Sequence, residues 1–547
     1  MATDSPTKLF RTIAMSCILL VAPTAMAQEW VYSVVEGDTL SEFSQKHLYK
    51  TSYWKQLQKI NNIADPKRIP ENTKIRVPLA WIKSQPASAV ATAIEGDATI
   101  IKHADNSQEV LTLKSKFNLG DQLLTGNQAS VIVRFADGSE MLVLQNSRVS
   151  FNHLRQYGET GMVDSRVQLI SGEIDTVAQP QRGDGARLEI HTPAAISAVR
   201  GTEFRTAYSA DSNTARIEVL EGGVAVKGAK RTRLVRSGFG TTVEKNKAPM
   251  VPKKLLPAPT LLELPEEIQQ IGYEVRWNEN SKAANYRAQI SKSDQMTTIL
   301  WDSHSPRNRI NLPDLTDNTY YLQVRAIDHD GIEGFATNQA IILNARPQPP
   351  FPMTPANKAT LRGQTPLLEW TRSSDAENYV VEIATDANFQ NIVTSDSGLT
   401  TPNLNLTGLA ESQTYFWRLA SVDSKGEQGP YSDTRIFDVK PIPATPQPEL
   451  EQDEQEVKLS WASSKYEQTY QVQIARDRKF ATILTDTTVA EPEIAIPRPE
   501  GYRYIRVRAL ADDGYAGAWG VTQELTPPPS DSWVYVFGSF VLTILLL

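Results

Sequence analysis

The chain has 547 residues, with 56 Lys and Arg against 63 Asp and Glu, a formal net charge of −7 and one cysteine. A single hydrophobic core does not normally serve a chain of this length, so we expect several domains. The acidic balance gives no global nucleic-acid signature, because nucleic acids bind basic surfaces.

Residues 1–27 follow the pattern of a secretory signal peptide. Lys8 and Arg11 precede an apolar run over 13–21, and Ala25-Met26-Ala27 is an A-x-A cleavage site. We predict export, with Gln28 as the first mature residue. The alternative is a lipoprotein anchored at Cys17, which the apolar residues after that cysteine disfavour. An exported chain cut after residue 27 has no thiol for a disulfide or a thiolate metal site.

Residues 28–83 have the pattern strand, helix, helix, strand (βααβ). Apolar alternation over 31–35 predicts the first strand, and Asp38 or Thr39 is placed to cap a helix that begins near Leu40. A second apolar face over 54–60 predicts a helix that stops at Asn61-Asn62. Alternation over 75–79 predicts the closing strand. We therefore expect a small α+β module here.

Two stretches of this module resemble the LysM domain. They are V-x-x-G-D-T-L at 34–40 and, at 61–78, N-N-I followed by D-P-K-R-I-P-E-N-T-K-I-R-V-P. That family binds N-acetylglucosamine-containing glycans such as peptidoglycan. It usually has glycine where this chain has Asn72, and asparagine is the commonest substitute in a left-handed turn. The resemblance implies that glycan binds, largely through backbone groups, at Gly37, Asp38, Thr39, Leu40, Asn62, Ile63 and Ala64. The alternative is that these loops only cap and pack the helices.

Residues 84–93 are rich in Ala and Ser and are predicted to be a linker. Residues 94–247 then read as all-β. Apolar alternation over 131–135 and at 141 and 143 flanks Asp137-Gly138, which predicts a hairpin with a two-residue turn. Glycine breaks at Gly172 and Gly222, each between apolar residues, suggest stacked or rolled layers. We predict an all-β roll or sandwich.

This segment contains the string T-P-x-x-x-x-x-V-R-G-T-E-F, where Thr192-Pro193 predicts an extended approach and Gly201 a tight bend between strands. With L-G-D-Q-L-L-T-G at 119–126 and S-G-E-I at 171–174, it resembles the FecR domain, a periplasmic regulatory module. The resemblance implies contact with an envelope protein or a sensed ligand through the motif residues Thr192, Pro193, Val199, Arg200, Gly201, Thr202, Glu203 and Phe204. The alternative is a structural turn in the β core. FecR proteins of siderophore systems usually place an anti-sigma region and a transmembrane helix before this domain; here a signal peptide and LysM precede it, so we do not expect direct sigma-factor control.

From about residue 260 the chain repeats with a period near 92 residues. Three tryptophans are each followed nine residues later by a tyrosine and 22 residues later by an isoleucine, in the sets Trp277, Tyr286, Ile299; Trp370, Tyr379, Ile392; and Trp461, Tyr470, Ile483. An aspartate-glycine turn closes each unit near Gly331, Gly426 or Gly514. The period suits one β-sandwich, and the pattern resembles fibronectin type III domains. We predict sandwiches at 248–345, 346–440 and 441–527, with the tryptophans and tyrosines in their cores.

Proline-rich joints at 347–355 and 441–448 predict semi-rigid spacers that give the repeats reach. Within the C-terminal tail at 528–547, the uncharged apolar run 533–547 has fifteen residues and is shorter than a bilayer span requires. It is interpreted as a membrane-associated segment or a truncated anchor, with a final strand as the alternative.

We find no sequence pattern for catalysis, a metal or a cofactor: the six histidines are scattered, and Asp328-His329-Asp330 occupies a turn position better explained as a solvated loop. We therefore predict a non-enzymatic, mainly β, multidomain envelope protein of a Gram-negative bacterium. LysM would bind peptidoglycan, and the FecR-like domain would contact a still unidentified envelope protein in signalling or scaffolding. The alternatives are a peptidoglycan hydrolase with an unrecognised active site and a surface adhesin.

Overall fold

The structure is a computed structural model that describes residues 29–180, 183, 185–199, 201–363, 366–463 and 468–528. The predicted signal peptide, Arg200 of the motif and tail residues 529–547 lie outside the described residues. The chain divides into two compact units, Met1–Asn344 and Ala345–Leu547. Strands dominate both units, which confirms the mainly β fold class.

The N-terminal module is the expected βααβ unit. Its elements are β1 (Glu29–Ser33), α1 (Leu40–His47), α2 (Trp54–Ile60) and β2 (Lys74–Pro78), with 3-10 turns at Thr51–Tyr53 and Leu79–Trp81. Strands β1 and β2 pair antiparallel, and Ile75 and Val77 point from β2 into a core shared with Leu40 and Leu57. Asn72 adopts φ 64°, so the left-handed turn predicted at this position is present.

The second region is an all-β roll of eighteen strands among the described residues. They are β3 (Gln85–Pro86), β4 (Ala89–Glu95), β5 (Ala98–Ile101), β6 (Gln108–Val110), β7 (Lys116–Phe117), β8 (Gln122–Thr125), β9 (Ser130–Arg134), β10 (Glu140–Val143), β11 (Arg148–Gln156), β12 (Val163–Val177), β13 (Arg187–His191), β14 (Ile196–Val199), β15 (Glu203–Ser209), β16 (Thr214–Glu221), β17 (Gly223–Gly228), β18 (Arg231–Arg236), β19 (Phe239–Glu244) and β20 (Lys253–Lys254). Strand β12 belongs to two sheets: its first half pairs with β11 and β13, and its second half with β10 and β15. Gly172, at φ 92°, lies where the strand passes from one sheet to the other.

The linker predicted at 84–93 is wrong, because this stretch forms β3 and most of β4. Ala87, Ala89 and Ala91 are buried in the core of the roll, and β4 pairs with β9. Small residues at every second position thus fill a narrow part of the core. The Ala and Ser content of residues 84–93 had by itself suggested a flexible linker.

Two local predictions in the roll also need correction. The hairpin of β9 and β10 is present, but Phe135 N donates to Ser139 O, so the loop has three residues between this pair rather than two. Gly138 at φ 85° supplies the left-handed residue that such loops need. Thr192-Pro193 forms the hairpin loop between β13 and β14 rather than an extended approach, because the Thr192 hydroxyl accepts hydrogen bonds from Ala194 N and Ala195 N.

Three β-sandwiches follow. Their strands are β21 (Glu274–Arg276), β22 (Ala283–Ser291), β23 (Trp301–Ser305), β24 (Arg309–Asn311), β25 (Asn318–Asp328) and β26 (Glu333–Leu343) in the first; β27 (Pro352–Thr354), β28 (Ala359–Arg362), β29 (Leu367–Trp370), β30 (Asn378–Ala384), β31 (Ile392–Leu399), β32 (Asn403–Asn405), β33 (Gln413–Val422) and β34 (Arg435–Lys440) in the second; and β35 (Glu449–Gln452), β36 (Glu456–Ser460), β37 (Gln468–Ala475), β38 (Ile483–Val489), β39 (Glu493–Pro497), β40 (Arg503–Ala511) and β41 (Gln523–Leu525) in the third. Each sandwich packs a small sheet on a larger one. Each tryptophan contacts its tyrosine edge-on, with ring centroids 5.3, 5.7 and 5.1 Å apart, and all six side chains are buried as predicted.

Within the second unit, the proline joint at 441–448 is packed rather than free. A Cβ placed on Gly520 would lie 2.2 Å from Pro446 O, and Pro443 O similarly approaches Gly517. Ion pairs of Asp513 with Arg362 and Lys440 connect the second sandwich to the third. The spacer predicted at this joint is therefore a packed edge. No helix among the described residues is long and apolar enough to cross a bilayer.

Candidate functional site

The first predicted glycan loop lies at the N-terminus of α1. Thr39 is the N-cap, and its hydroxyl accepts a hydrogen bond from Glu42 N at 3.2 Å. Asp38 Oδ2 accepts from Val35 N at 2.9 Å and from the Tyr32 hydroxyl at 2.6 Å. The loop is thus held by its own side chains before any ligand binds. Gly37 is exposed at φ 90°, and a Cβ there would meet nothing within 4 Å.

The second predicted loop follows α2. Asn62 adopts φ 52°, and Gln58 Nε2 donates to Ile63 O at 3.0 Å and to Ala64 O at 3.4 Å. This amide holds the loop in one conformation while each carbonyl keeps a second lone pair. Asn62 and Ala64 are exposed.

A backbone hydrogen bond joins the two loop regions, since Leu40 N donates to Pro66 O at 2.9 Å. The fold therefore brings the end of the first loop against the residues just after the second. Leu40 itself is fully buried, so its side chain serves packing rather than ligand contact. The exposed members of the predicted set that could meet a sugar are Gly37, Asn62 and Ala64.

An aromatic cluster beside this site was missed by sequence reasoning. Trp30 and Tyr32 of β1 pack on Phe43 and His47 of α1, with the Tyr32 and Phe43 rings 4.7 Å apart. Burial, reinforced by the hydrogen bond to Asp38, raises the pKa of Tyr32 to about 12. Burial, together with the charge of Lys46, lowers the pKa of His47. The sequence signal that could have predicted this cluster is the pair of aromatic residues at alternate positions of β1, Trp30 and Tyr32.

The FecR motif lies where the chain crosses between the two sheets of the roll. Val199 ends β14 in one sheet, and Phe204 lies in β15 of the other; both side chains are in the core. Gly201 at φ 60° makes the bend, and its Cβ position would be 3.2 Å from Pro180 Cα. Thr202 is buried, with its carbonyl accepting from Ala178 N. Most of the described motif residues therefore serve the fold, while Glu203 remains exposed.

The strand that contains the end of this motif contacts the first sandwich. Arg205 Nη2 donates to Glu333 O at 2.9 Å and to Gly334 O at 2.8 Å. Arg205 and Glu333 are both buried. The outer face of β15 and its neighbours is thus covered by the sandwich that follows it in the chain.

This contact contains a buried charge network that the sequence did not reveal. Its carboxylates are Glu173, Asp175 and Glu218 of the roll and Asp302 and Glu333 of the first sandwich; its guanidinium groups belong to Arg205, Arg216, Arg287 and Arg325. Arg287 is central: it bridges Glu173, Asp302 Oδ2 at 2.6 Å and Glu333 Oε1 at 2.8 Å. The pairs that join the roll to the sandwich, such as Arg287 with Glu173 and Arg216 with Glu333, lie more than a hundred residues apart in sequence, so no local pattern could predict them.

Burial and ion pairing act in opposite directions on the acids of this network. Burial alone would raise the pKa of Glu333, but Arg287 and Arg216 outweigh it and hold that pKa well below its usual value. Burial raises the pKa of Asp175 and of Glu218 despite their arginine neighbours. The arginines thus compensate the burial of Glu333 more fully than that of Asp175 and Glu218.

The N-terminal module also packs against the roll. Leu79 and Trp81 share one apolar cluster with Met162 and Ala186 of the roll. Lys46 Nζ lies 3.3 Å from Glu159 Oε2 across the same boundary. The module, the roll and the first sandwich therefore contact one another in sequence order.

No group of three or more His, Cys, Asp or Glu that could hold a metal ion occurs in the part of the chain that the structure describes. Asp328 accepts hydrogen bonds from Asp330 N and Ile332 N, and Asp330 pairs with Lys253. Asp328 thus holds the turn, and Asp330 pairs with β20 of the roll.

Comparison with known families matches residues 32–78 to the LysM domain and residues 121–225 to the FecR protein family. The chain contains a LysM domain and a FecR domain. No curated protein matches it. The LysM domain supports peptidoglycan binding, and the FecR domain supports a regulatory role with a protein partner. Both domain types are binding or regulatory rather than catalytic.

Among solved structures, the chain is similar to a candidate anti-sigma factor from Parabacteroides distasonis ATCC 8503, at 14% identity and a TM-score of 0.21. The match covers 24% of this chain and 59% of that one. Two chicken structures are also similar. The FN1–FN3 domains of CNTN1 match at 17% identity and a TM-score of 0.22, over 50% of this chain and 98% of that one. A two-domain fibronectin type III segment of tenascin matches at 13% identity and a TM-score of 0.23, over 33% of this chain and 99% of that one.

Proposed function

We propose that this protein is an exported, non-enzymatic component of the cell envelope that binds peptidoglycan through its LysM domain. The supporting observation is the hydrogen bond from Leu40 N to Pro66 O, which sets the two predicted sugar-binding loops side by side. Hydrogen bonds that Asp38 and Thr39 accept, and one that Gln58 donates, hold both loops in place before binding. Such preorganisation lowers the ordering cost of binding.

The module also has a favourable charge for a polymer that bears carboxylates. Residues 28–83 contain nine Lys and Arg against six Asp and Glu, a balance of +3 in a chain whose total is −7. Attraction between exposed charges is screened within about 8 Å at physiological salt. The positive charge of the module therefore assists its first encounter with the glycan, and specificity for the sugar depends on the two loops.

We propose a scaffolding or signalling role for the FecR domain in the periplasm. The LysM domain packs directly on the roll through Leu79 and Met162, so wall binding would place the roll at a defined distance from the glycan. The outer face near the motif is covered by the chain's own first sandwich. We therefore expect an external protein to contact other faces of the roll or the later sandwiches.

The test is co-sedimentation of the purified chain with peptidoglycan sacculi. In the variant Ala64→Trp, an exposed loop residue becomes a bulky side chain between the two loops, and we expect at least a tenfold loss of bound protein at limiting glycan. Gln56→Trp places the same side chain on the exposed face of α2 and should sediment like the unmodified chain. Equal sedimentation of both variants would refute this site.

The same preparation distinguishes the hydrolase alternative. Zymography on embedded peptidoglycan should give no cleared band if the chain only binds the wall. A cleared band that persists in highly purified protein would show that the chain cleaves peptidoglycan, and the non-enzymatic proposal would then be wrong.

A further inference from the structure

The three sandwiches present the same sheet face, and the first one shows what that face can bind. In the first sandwich Arg287 and Gln289 on β22 and Arg325 on β25 point toward the roll, where Arg325 pairs with Asp175. Gln289 Nε2 donates to Asp302 Oδ2 at 2.9 Å and orients that carboxylate. This arrangement is a docking surface for carboxylates on a neighbouring β-sheet.

The third sandwich repeats part of that arrangement, with Gln471 at the position of Arg287 and Arg506 at the position of Gln323. Counting from the core tryptophan of each unit, Gln473 and Asp486 occupy the positions of Gln289 and Asp302. Gln473 Nε2 likewise donates to Asp486 Oδ2, at 2.8 Å. Strand pairing places Arg508 opposite Gln471, as Arg325 lies opposite Arg287.

Two arginines of this face are held by aromatic rings. The Arg506 guanidinium lies 3.9 Å from the Phe480 centroid and 4.2 Å from that of Trp519, and Arg508 lies 4.5 Å from Trp519. Their hydrogen bonds go to the side-chain oxygens of Gln473 and Gln471. Stacking of this kind restricts the rotamers of both arginine side chains and holds their guanidinium N–H donors in place before a partner binds.

Neither guanidinium has a carboxylate within ion-pair distance among residues that the structure describes, whereas Arg325 has Glu333 at 3.0 Å and Asp175 at 3.5 Å. The second sandwich provides the contrast. Its stacked Arg418 is already paired with Glu382 at 2.8 Å. Asp486, bound by Gln471 and Gln473, lies near both arginines without forming an ion pair with them, so the described face of the third sandwich keeps two arginines beside one aspartate.

We propose that the face formed by Arg506, Arg508 and Trp519 docks an acidic surface of a partner protein. The partner would present two neighbouring carboxylates, as the roll does to the first sandwich. Arginine's planar fork suits bidentate pairing with carboxylates, and the fixed stacking reduces the ordering cost. This inference concerns a different surface from the LysM loops and does not depend on wall binding.

The test uses the full chain with one fluorophore near the face. Thr488 lies opposite Gln471 in the strand register and is exposed, so Thr488→Cys, in a Cys17→Ser background, provides a single labelling position. The probe is a hexaglutamate peptide, titrated at low salt. We expect saturable binding that weakens at least tenfold in Arg506→Gln/Arg508→Gln.

Three controls decide between explanations. Arg418→Gln, on the already paired arginine, should change the dissociation constant by less than twofold. Arg506→Lys/Arg508→Lys keeps the charge and should bind with intermediate affinity, which tests the guanidinium geometry in a variant expected to fold. Hexaglutamate that fails to bind, or binds the Arg506→Gln/Arg508→Gln chain equally well, would overturn the proposal. So would tighter, arginine-dependent binding of inorganic polyphosphate, which would assign the face to a phosphate polymer.

Discussion

At the scale of single residues, short side chains decide the local geometry of the LysM domain. Thr39 caps α1, and Asp38 ties the loop before it to Tyr32. Asn72 occupies a left-handed conformation in which most residues other than glycine are strained. The Thr39 cap and the Asn72 turn follow directly from residue type and position, which is why the sequence could predict them, whereas the bond between Asp38 and Tyr32 was seen only in the structure.

Asn72 offers a quantitative test of this point. We expect Asn72→Ala to lower the free energy of unfolding of the LysM domain by about 1 kcal/mol, because a Cβ without a local hydrogen-bonding group disfavours φ near 64°. Asn72→Gly should stay within about 0.5 kcal/mol of the unmodified chain, since glycine adopts this conformation freely. Urea denaturation followed by tryptophan fluorescence measures both. Equal losses in the two variants would show that the asparagine side chain matters for another reason.

At the scale of elements, the last turn of α1 packs on β1. His47 lies between the rings of Trp30, Tyr32 and Phe43, and this burial lowers its pKa in the folded state. The helix and the strand were each predictable. Their contact was not, because ring stacking depends on how the two elements cross.

This contact predicts a pH dependence. The folded pKa of His47 lies below its unfolded value near 6.5, so the folded state takes up a proton less readily than the unfolded state. The stabilising contribution is fully present above about pH 6.5 and is lost as pH falls through the lower folded pKa. Thermal unfolding between pH 8 and 5 should therefore show a smaller loss of Tm on acidification in His47→Gln than in the unmodified chain. Parallel curves for the two proteins would contradict this assignment.

At the scale of the whole molecule, each unit is internally more connected than the repeat pattern suggested. In the first unit, the roll packs against the LysM domain through apolar contacts and against the first sandwich through buried charges. In the second, Asp513 connects two sandwiches through Arg362 and Lys440. The domain boundaries predicted from the sequence stay a prediction, since these contacts cross several of them.

The charge network gives a sharp test of the first unit. We expect Arg287→Met to lower the free energy of unfolding by about 3–5 kcal/mol, because Glu173, Asp302 and Glu333 would lose a shared buried partner. Arg307→Met, at an exposed position of the same sandwich, should change it by less than about 0.5 kcal/mol. Guanidinium denaturation followed by circular dichroism provides the measurement. A loss below about 1 kcal/mol for Arg287→Met would mean that the two domains are not held by this network.

The sequence by itself determined the element types, the βααβ order, the three sandwich cores and the turns at Asn72 and Gly201. Each of these depends on residues near one another in the chain or on a regular period. Sequence composition misassigned residues 84–93, where alternating alanines fill a β core, and the proline joint at 441–448, which packs on glycines of the third sandwich. Only the tertiary structure paired Arg287 with Glu173 and set the face of Arg506 apart from that of Arg418. The physical reason is that ion pairing and burial depend on which distant side chains meet, and no local pattern encodes that choice.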